Sequence, residues 1–185
     1  RGVGSFVSRE LYSEETFPVP SQMGKLFPFI LPFCISRTGL TAVFQAASHY
    51  LLDKGCYVSI YISEKEGENR GQMILNRLLD MDVAGIAYYP QTSIIPIEQL
   101  NRFLFAGKPA VVMDIPSGSP YIPSVISDNL SGSMMLMQHL LGLGHRKIAY
   151  LSGVSPAARL TISDRLAGYV LALSEAKIPI TPQFI

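Results

Sequence analysis

Residues 124–153 read SVISDNLSGSMMLMQHLLGLGHRKIAYLSG, and this stretch decides the fold. SVIS (124–127) is a short strand signal. DNLSGSMMLMQHLLGLG (128–144) starts with two good N-cap residues, Asp128 and Asn129, and ends in glycine, as a helix does. KIAYLSG (147–153) is again strand-like. A strand, a helix and a strand in succession form a βαβ unit, whose crossover brings the second strand back parallel to the first.

The same alternation extends upstream. LFPFILPF (26–33) is an apolar run that Pro28 and Pro32 push toward a strand with an irregular or edge-like end. TGLTAVFQAASHYLLDKG (38–55) sets Leu40, Val43, Phe44, Ala47, Tyr50 and Leu51 on one helical stripe and closes at Gly55. YVSIYI (57–62) is a β-branched and aromatic strand. A helix over 66–80 turns Ile74, Leu75, Leu78 and Leu79 inward, and VAGIAYY (83–89) follows as a strand. A short helix (97–106), a strand (109–114) and, after residue 153, a last helix over 163–176 complete the pattern. The expected fold is α/β, a doubly wound parallel sheet.

Residues 11–25 (LYSEETFPVPSQMGK) are polar, carry Pro18 and Pro20, and read as a linker. Residues 26–144 hold enough strands for one open α/β lobe, and 145–185 start a second. A lone βα unit cannot bury both faces of its strand, so the expectation is a domain truncated at its C-terminus.

Hydrophobic residues make up 48% of the chain, enough for a real core. The net charge of +1, from 15 basic and 14 acidic residues, leaves no electrostatic footprint for nucleic acid, so any DNA contact is expected elsewhere. Cys34 and Cys56 lie in apolar segments with neither a disulfide framework nor metal-ligand spacing, and read as buried free thiols of a reducing compartment. No apolar window reaches the roughly 18 residues of a membrane span, and no secretory leader is visible. The reading is a cytoplasmic protein that needs no cofactor or metal.

Ligands of open α/β sheets bind beyond the carboxyl ends of the strands. That rule nominates Ser36, Arg37, Asp114, Ser127, Asp128 and the loop after Gly153. Asp128 is equally a plain helix N-cap. Arg165, in SDRLAGY (163–169), can grip hydroxyls or a carboxylate, or pair in solvent with Asp164 or Glu175. GVGSFV (2–7) lacks the third glycine of a dinucleotide loop and follows no strand. No nucleophile elbow occurs, and His139 and His145 do not share a helix face as metal ligands would. No catalytic constellation emerges.

Several strings in register carry a resemblance. ISDNLSGSMMLMQHLLGLGHRKIAYLSG (126–153) and DRLAGY (164–169) resemble the effector-binding domain of the LacI/GalR family of transcriptional regulators, with a weaker match in DMDVAGIAYYP (80–90) and GKPAVVMD (107–114). The resemblance implies a type I periplasmic-binding-protein fold. It also implies effector contacts at Asp128 and Arg165, and further contacts at Thr161, Arg159 and Asp114. Where the family's first strand ends in a Pro-containing turn this chain has CISRTGL (34–40), which leaves Arg37 as the candidate there.

RGVGSFV (1–7) resembles the last wing strand of a GntR-type winged helix. With a linker and a LacI-type domain behind it, that is the pairing of the arabinose-repressor group. Residues 1–10 are then a wing remnant, with Arg1 and Gly2 as its weak DNA contacts. The implied protein is a repressor-type regulator that senses a small polar effector of the sugar class. It binds operator DNA through winged-helix heads and works as a homodimer whose interface uses the 38–55 and 97–106 helices. A transport-type sugar-binding protein and a small α/β enzyme are the alternatives.

Overall fold

The computed structural model describes residues 24–32, 40–63, 70–90, 94–153 and 160–184. The apolar runs become strands because each finds a parallel neighbour. β1 (Lys25–Leu31) pairs with β2 (Cys56–Ile62) on one side and β3 (Ile86–Tyr88) on the other. β4 (Ala110–Met113) and β5 (Ser124–Val125) continue the sheet in the order β2-β1-β3-β4-β5. Pro28 therefore sits inside the sheet, fully buried, and not at an edge. It is tolerated because the β1–β3 ladder is open at that position: Leu26 bridges Val83, and regular pairing resumes only at Phe29.

Alternate residues of β1 feed two cores. Phe29 and Leu31 meet Phe44 of α1 (Thr41–Leu52) on one face. Ile30 meets Leu75 and Leu78 of α2 (Arg70–Asp80) and Leu100 and Phe103 of α3 (Ile97–Phe105) on the other. The chain steps outward from β1 to β2 through α1 and back to β3 through α2. Right-handed crossovers put those two helices on opposite faces, and the sheet is doubly wound as expected. The same geometry separates α1 from α3. The two helices expected at the dimer interface thus lie on opposite faces of the sheet.

α4 (Asn129–Gly142) and α5 (Leu160–Glu175) have a core of their own. Met137 packs with Tyr169, Ala172 and Leu173, and Ile148 and Tyr150 close the cluster. By packing, α4 belongs with α5. Residues 147–153, expected as a strand, form none. A strand needs a ladder, and this segment has no strand neighbour among the described residues. Tyr150 instead donates its N–H to the carbonyl of Phe184 at 2.7 Å, and the Ile148 carbonyl accepts from the Tyr169 hydroxyl at 2.8 Å.

Cys56 is a free thiol at the start of β2, and Cys34 lies outside the described residues. Among the described residues no helix is long and apolar enough to cross a membrane.

Candidate functional site

The carboxyl end of the sheet delivers Asp114 and then Asp128. Asp114 follows β4 with φ 74°, a left-handed conformation that aspartate tolerates better than most residues, and its N–H reaches the Val125 carbonyl at 2.9 Å. β5 stops at Val125, two residues sooner than expected, and the chain turns into α4. Asp128 is the N-cap of that helix, accepting from the Ser131 N–H at 3.0 Å. That bond, followed by one from the Ser131 side chain, holds the Asp128 carboxyl below the usual carboxylate range.

The sign of this shift sets a pH dependence. A depressed folded-state pKa means the cap stabilises α4 above the unfolded aspartate value and is lost as pH falls through the folded one. An NMR titration should show the Asp128 carboxyl ionising below a free aspartate, with the Ser131 amide shifting in step. A Ser131 amide indifferent to that titration would contradict the cap.

Asn129, next in the chain, is buried. Its Nδ2 donates to the Ser127 carbonyl at 3.1 Å, which leaves Oδ1 as the acceptor toward α5. Arg165 fills that role, donating from Nε to Asn129 Oδ1 at 2.8 Å. The Arg165 side chain therefore pairs with neither Asp164 nor Glu175 in this bond. Holding Nε fixes the plane of the guanidinium, whose fork suits vicinal hydroxyls or a carboxylate. The two helices are clamped here at close range: Ser133 Oγ donates to the Arg165 carbonyl at 2.7 Å, and Gly168 lies against Leu130 and Ser133.

Asp128, Asn129 and Arg165 line one cleft of about 430 Å³, together with Leu136, Leu140 and Tyr150. Of the residues nominated from sequence, Asp128 and Arg165 thus share a wall. Thr161 is buried one turn before Arg165 in α5, and neither it nor Asp114 lines the cleft. Arg37, Arg159, Arg1, Gly2 and Ser36 lie outside the described residues. Asn129, which the sequence marks only as an N-cap candidate, also lines the cleft, and burial at a crossing of two helices cannot be read from a cap motif.

No protein-family profile matches the chain. Curated relatives do. The HTH-type transcriptional repressor PurR of Aliivibrio salmonicida is 34% identical over 152 residues, covering 77% of this chain and 43% of that protein. The chain is homologous to LacI-family transcriptional repressors. The arabinose metabolism transcriptional repressor of Geobacillus stearothermophilus aligns with 100% of the chain and 49% of its own length at 23% identity. The chain spans about half the length, or less, of these LacI-family relatives.

A solved sugar-binding transcriptional regulator (LacI family) from Escherichia coli, complexed with phosphate, superposes with a TM-score of 0.66 at 23% identity, covering 86% of this chain and 56% of its own. That likeness shows the fold: α/β, of the kind found in LacI-family effector domains. The relatives are transcriptional regulators.

Proposed function

We propose that the chain is the effector-sensing part of a bacterial repressor, with the cleft walled by Asp128, Asn129 and Arg165 as the effector site and a sugar or sugar derivative as its ligand. The observation that carries this reading is the pairing of a capped carboxylate and an amide-anchored guanidinium on one cleft. A carboxylate accepts from hydroxyls, and a guanidinium donates two parallel bonds to neighbouring oxygens. Arg159 and Arg37 belong to this proposal as further contacts, and Asp114 and Thr161, which do not line the cleft, are left out of it.

The whole-chain alignment with the arabinose repressor supports reading residues 1–10 as a wing strand, 11–25 as linker and the rest as two lobes, and the packing of α4 on α5 supports starting the second lobe at α4 instead of after residue 144. In the intact regulator, a cytoplasmic homodimer, closure of the lobes on the effector changes the spacing of the DNA-binding heads on a palindromic operator. The protein performs no chemistry on its ligand.

A thermal-shift screen with pentoses, hexoses and their phosphates identifies the effector, since a ligand at 100 times its Kd adds roughly 2.7 kcal/mol. Truncating Arg165 to alanine then leaves part of the cleft unpaired and costs about 1–3 kcal/mol of binding, or roughly 5- to 150-fold in Kd. Asp128→Ala weakens binding in the same direction. Calorimetry on both intact variants decides it, and wild-type affinity in both would remove the site.

A further inference from the structure

The charged side chains that line the cleft are Asp128 and Arg165, and their charges are balanced differently. Asp128 uses its carboxylate on its own helix. It caps α4 through the Ser131 N–H at 3.0 Å, and the positive end of that helix offsets its charge. Arg165 has no such counterpart. Its guanidinium is held at Nε by Asn129 Oδ1, a neutral amide oxygen, at 2.8 Å, and among the described residues no carboxylate pairs with it.

An acid could not replace Asn129 as the anchor. The same side chain donates from Nδ2 to the Ser127 carbonyl at 3.1 Å. The position therefore needs a donor and an acceptor on one group, which an amide has and an ionised carboxylate lacks. The anchor is neutral for a structural reason, and it leaves the guanidinium with its full charge. With Nε occupied, the free donors are those of Nη1 and Nη2, whose outer edge fits two oxygens carried on one atom. Leu136, Met137, Leu140 and Ile148 make much of the remaining wall apolar, so the wall supplies no other counter-charge.

Resting on the effector-site reading, we infer that the cleft selects an oxyanion: its ligand carries a carboxylate or a phosphate that seats on the Nη1–Nη2 edge of Arg165. Asn129 is the specificity-determining residue, because it orients the guanidinium without neutralising it. The ligand class is a sugar acid or sugar phosphate, not a neutral sugar. A ligand that covers the cleft shields Arg165 from water, and a shielded charge without a partner is costly. A neutral sugar leaves that cost in place. An oxyanion removes it and accepts both hydrogen bonds at once.

NMR of the Arg165 Nε–Hε group on the intact chain, at low ionic strength, tests this with inorganic phosphate as the simplest probe. Phosphate should shift the resonance saturably, and in Asn129→Asp, where a fixed carboxylate takes up the charge, its Kd should rise about tenfold or more. The second arm compares glucose with glucuronate, arabinose with arabinonate, and each neutral sugar with its phosphate ester. Any sugar that binds should bind about tenfold tighter in its anionic form. Asn129→Asp should abolish that ratio, whereas a merely structural loss would weaken both forms alike and preserve it. The wild-type comparisons decide the matter even if Asn129→Asp does not fold. Absence of a saturable phosphate shift in the wild type would overturn the proposal. So would a neutral sugar that binds as tightly as its anionic forms and is lost in Arg165→Ala, a result that keeps the effector site and removes its preference. Sugar binding undiminished in Arg165→Ala would remove the site and this proposal with it.

Discussion

Phe103→Ala should destabilise the chain by about 3–5 kcal/mol, the usual range for removing a large buried aromatic ring. Phe103 is 1% exposed and joins α3 to the layer beneath it, where Leu75 and Leu78 of α2 and Ile86 and Val112 of the sheet surround it. The loss has a transfer part and a cavity part, and strands fixed on both sides cannot collapse to fill the hole. Stability of a domain this size is typically about 5–15 kcal/mol, so the variant would lose a large share of it. Urea unfolding should show a lower midpoint at an unchanged slope. A wild-type midpoint would mean that α2 and α3 do not pack on the sheet as described.

Gly168→Ala should damage the candidate site from behind. A methyl group at that position would lie 2.5 Å from the Leu130 carbonyl oxygen, 2.7 Å from the Ser133 Cβ and 3.1 Å from the Met134 nitrogen. Two of those atoms are α4 backbone and cannot rotate away, so the helices must separate. Alanine gains about 1 kcal/mol over glycine in intrinsic helix propensity. Overpacking costs about 1–3 kcal/mol and occasionally more, and rigid obstacles place this case at the upper end, so the clash wins. Separation also pulls Arg165 away from Asn129, three residues from the clash on one helix and near it on the other. The expected outcome is a lower melting temperature together with weaker effector binding. A variant as stable as the wild type would show that the α4–α5 contact is looser than described.

Much of the fold was legible along the chain. Period-two and period-3.6 apolar patterns are local, and they locate β1, β2, β4 and the helices α1 to α5 to within a few residues. They also implied parallel pairing, because strands separated by helices have no short route to antiparallel partners. Asp128 was legible as well, since an acidic residue between a strand and a helix has a cap role set by its immediate neighbours.

Other features depend on partners distant in sequence. Residues 147–153 have the composition of a strand, but composition supplies no ladder, and the segment lies against Tyr169 and Phe184 instead. Pro28 reads as an edge residue until the gap opposite it in β3 is known. The order β2-β1-β3-β4-β5 puts α1 and α3 on opposite faces, which no pattern within either helix records. Arg165 could have faced Asp164, Glu175 or solvent by sequence. It meets Asn129, 36 residues earlier, because Gly168 and Ser133 let two helices approach closely enough for a buried amide to reach across. Periodicity determined which elements form and which faces are apolar. Only tertiary packing decided which side chains meet, because a contact between residues far apart in the chain depends on how whole elements are placed against each other.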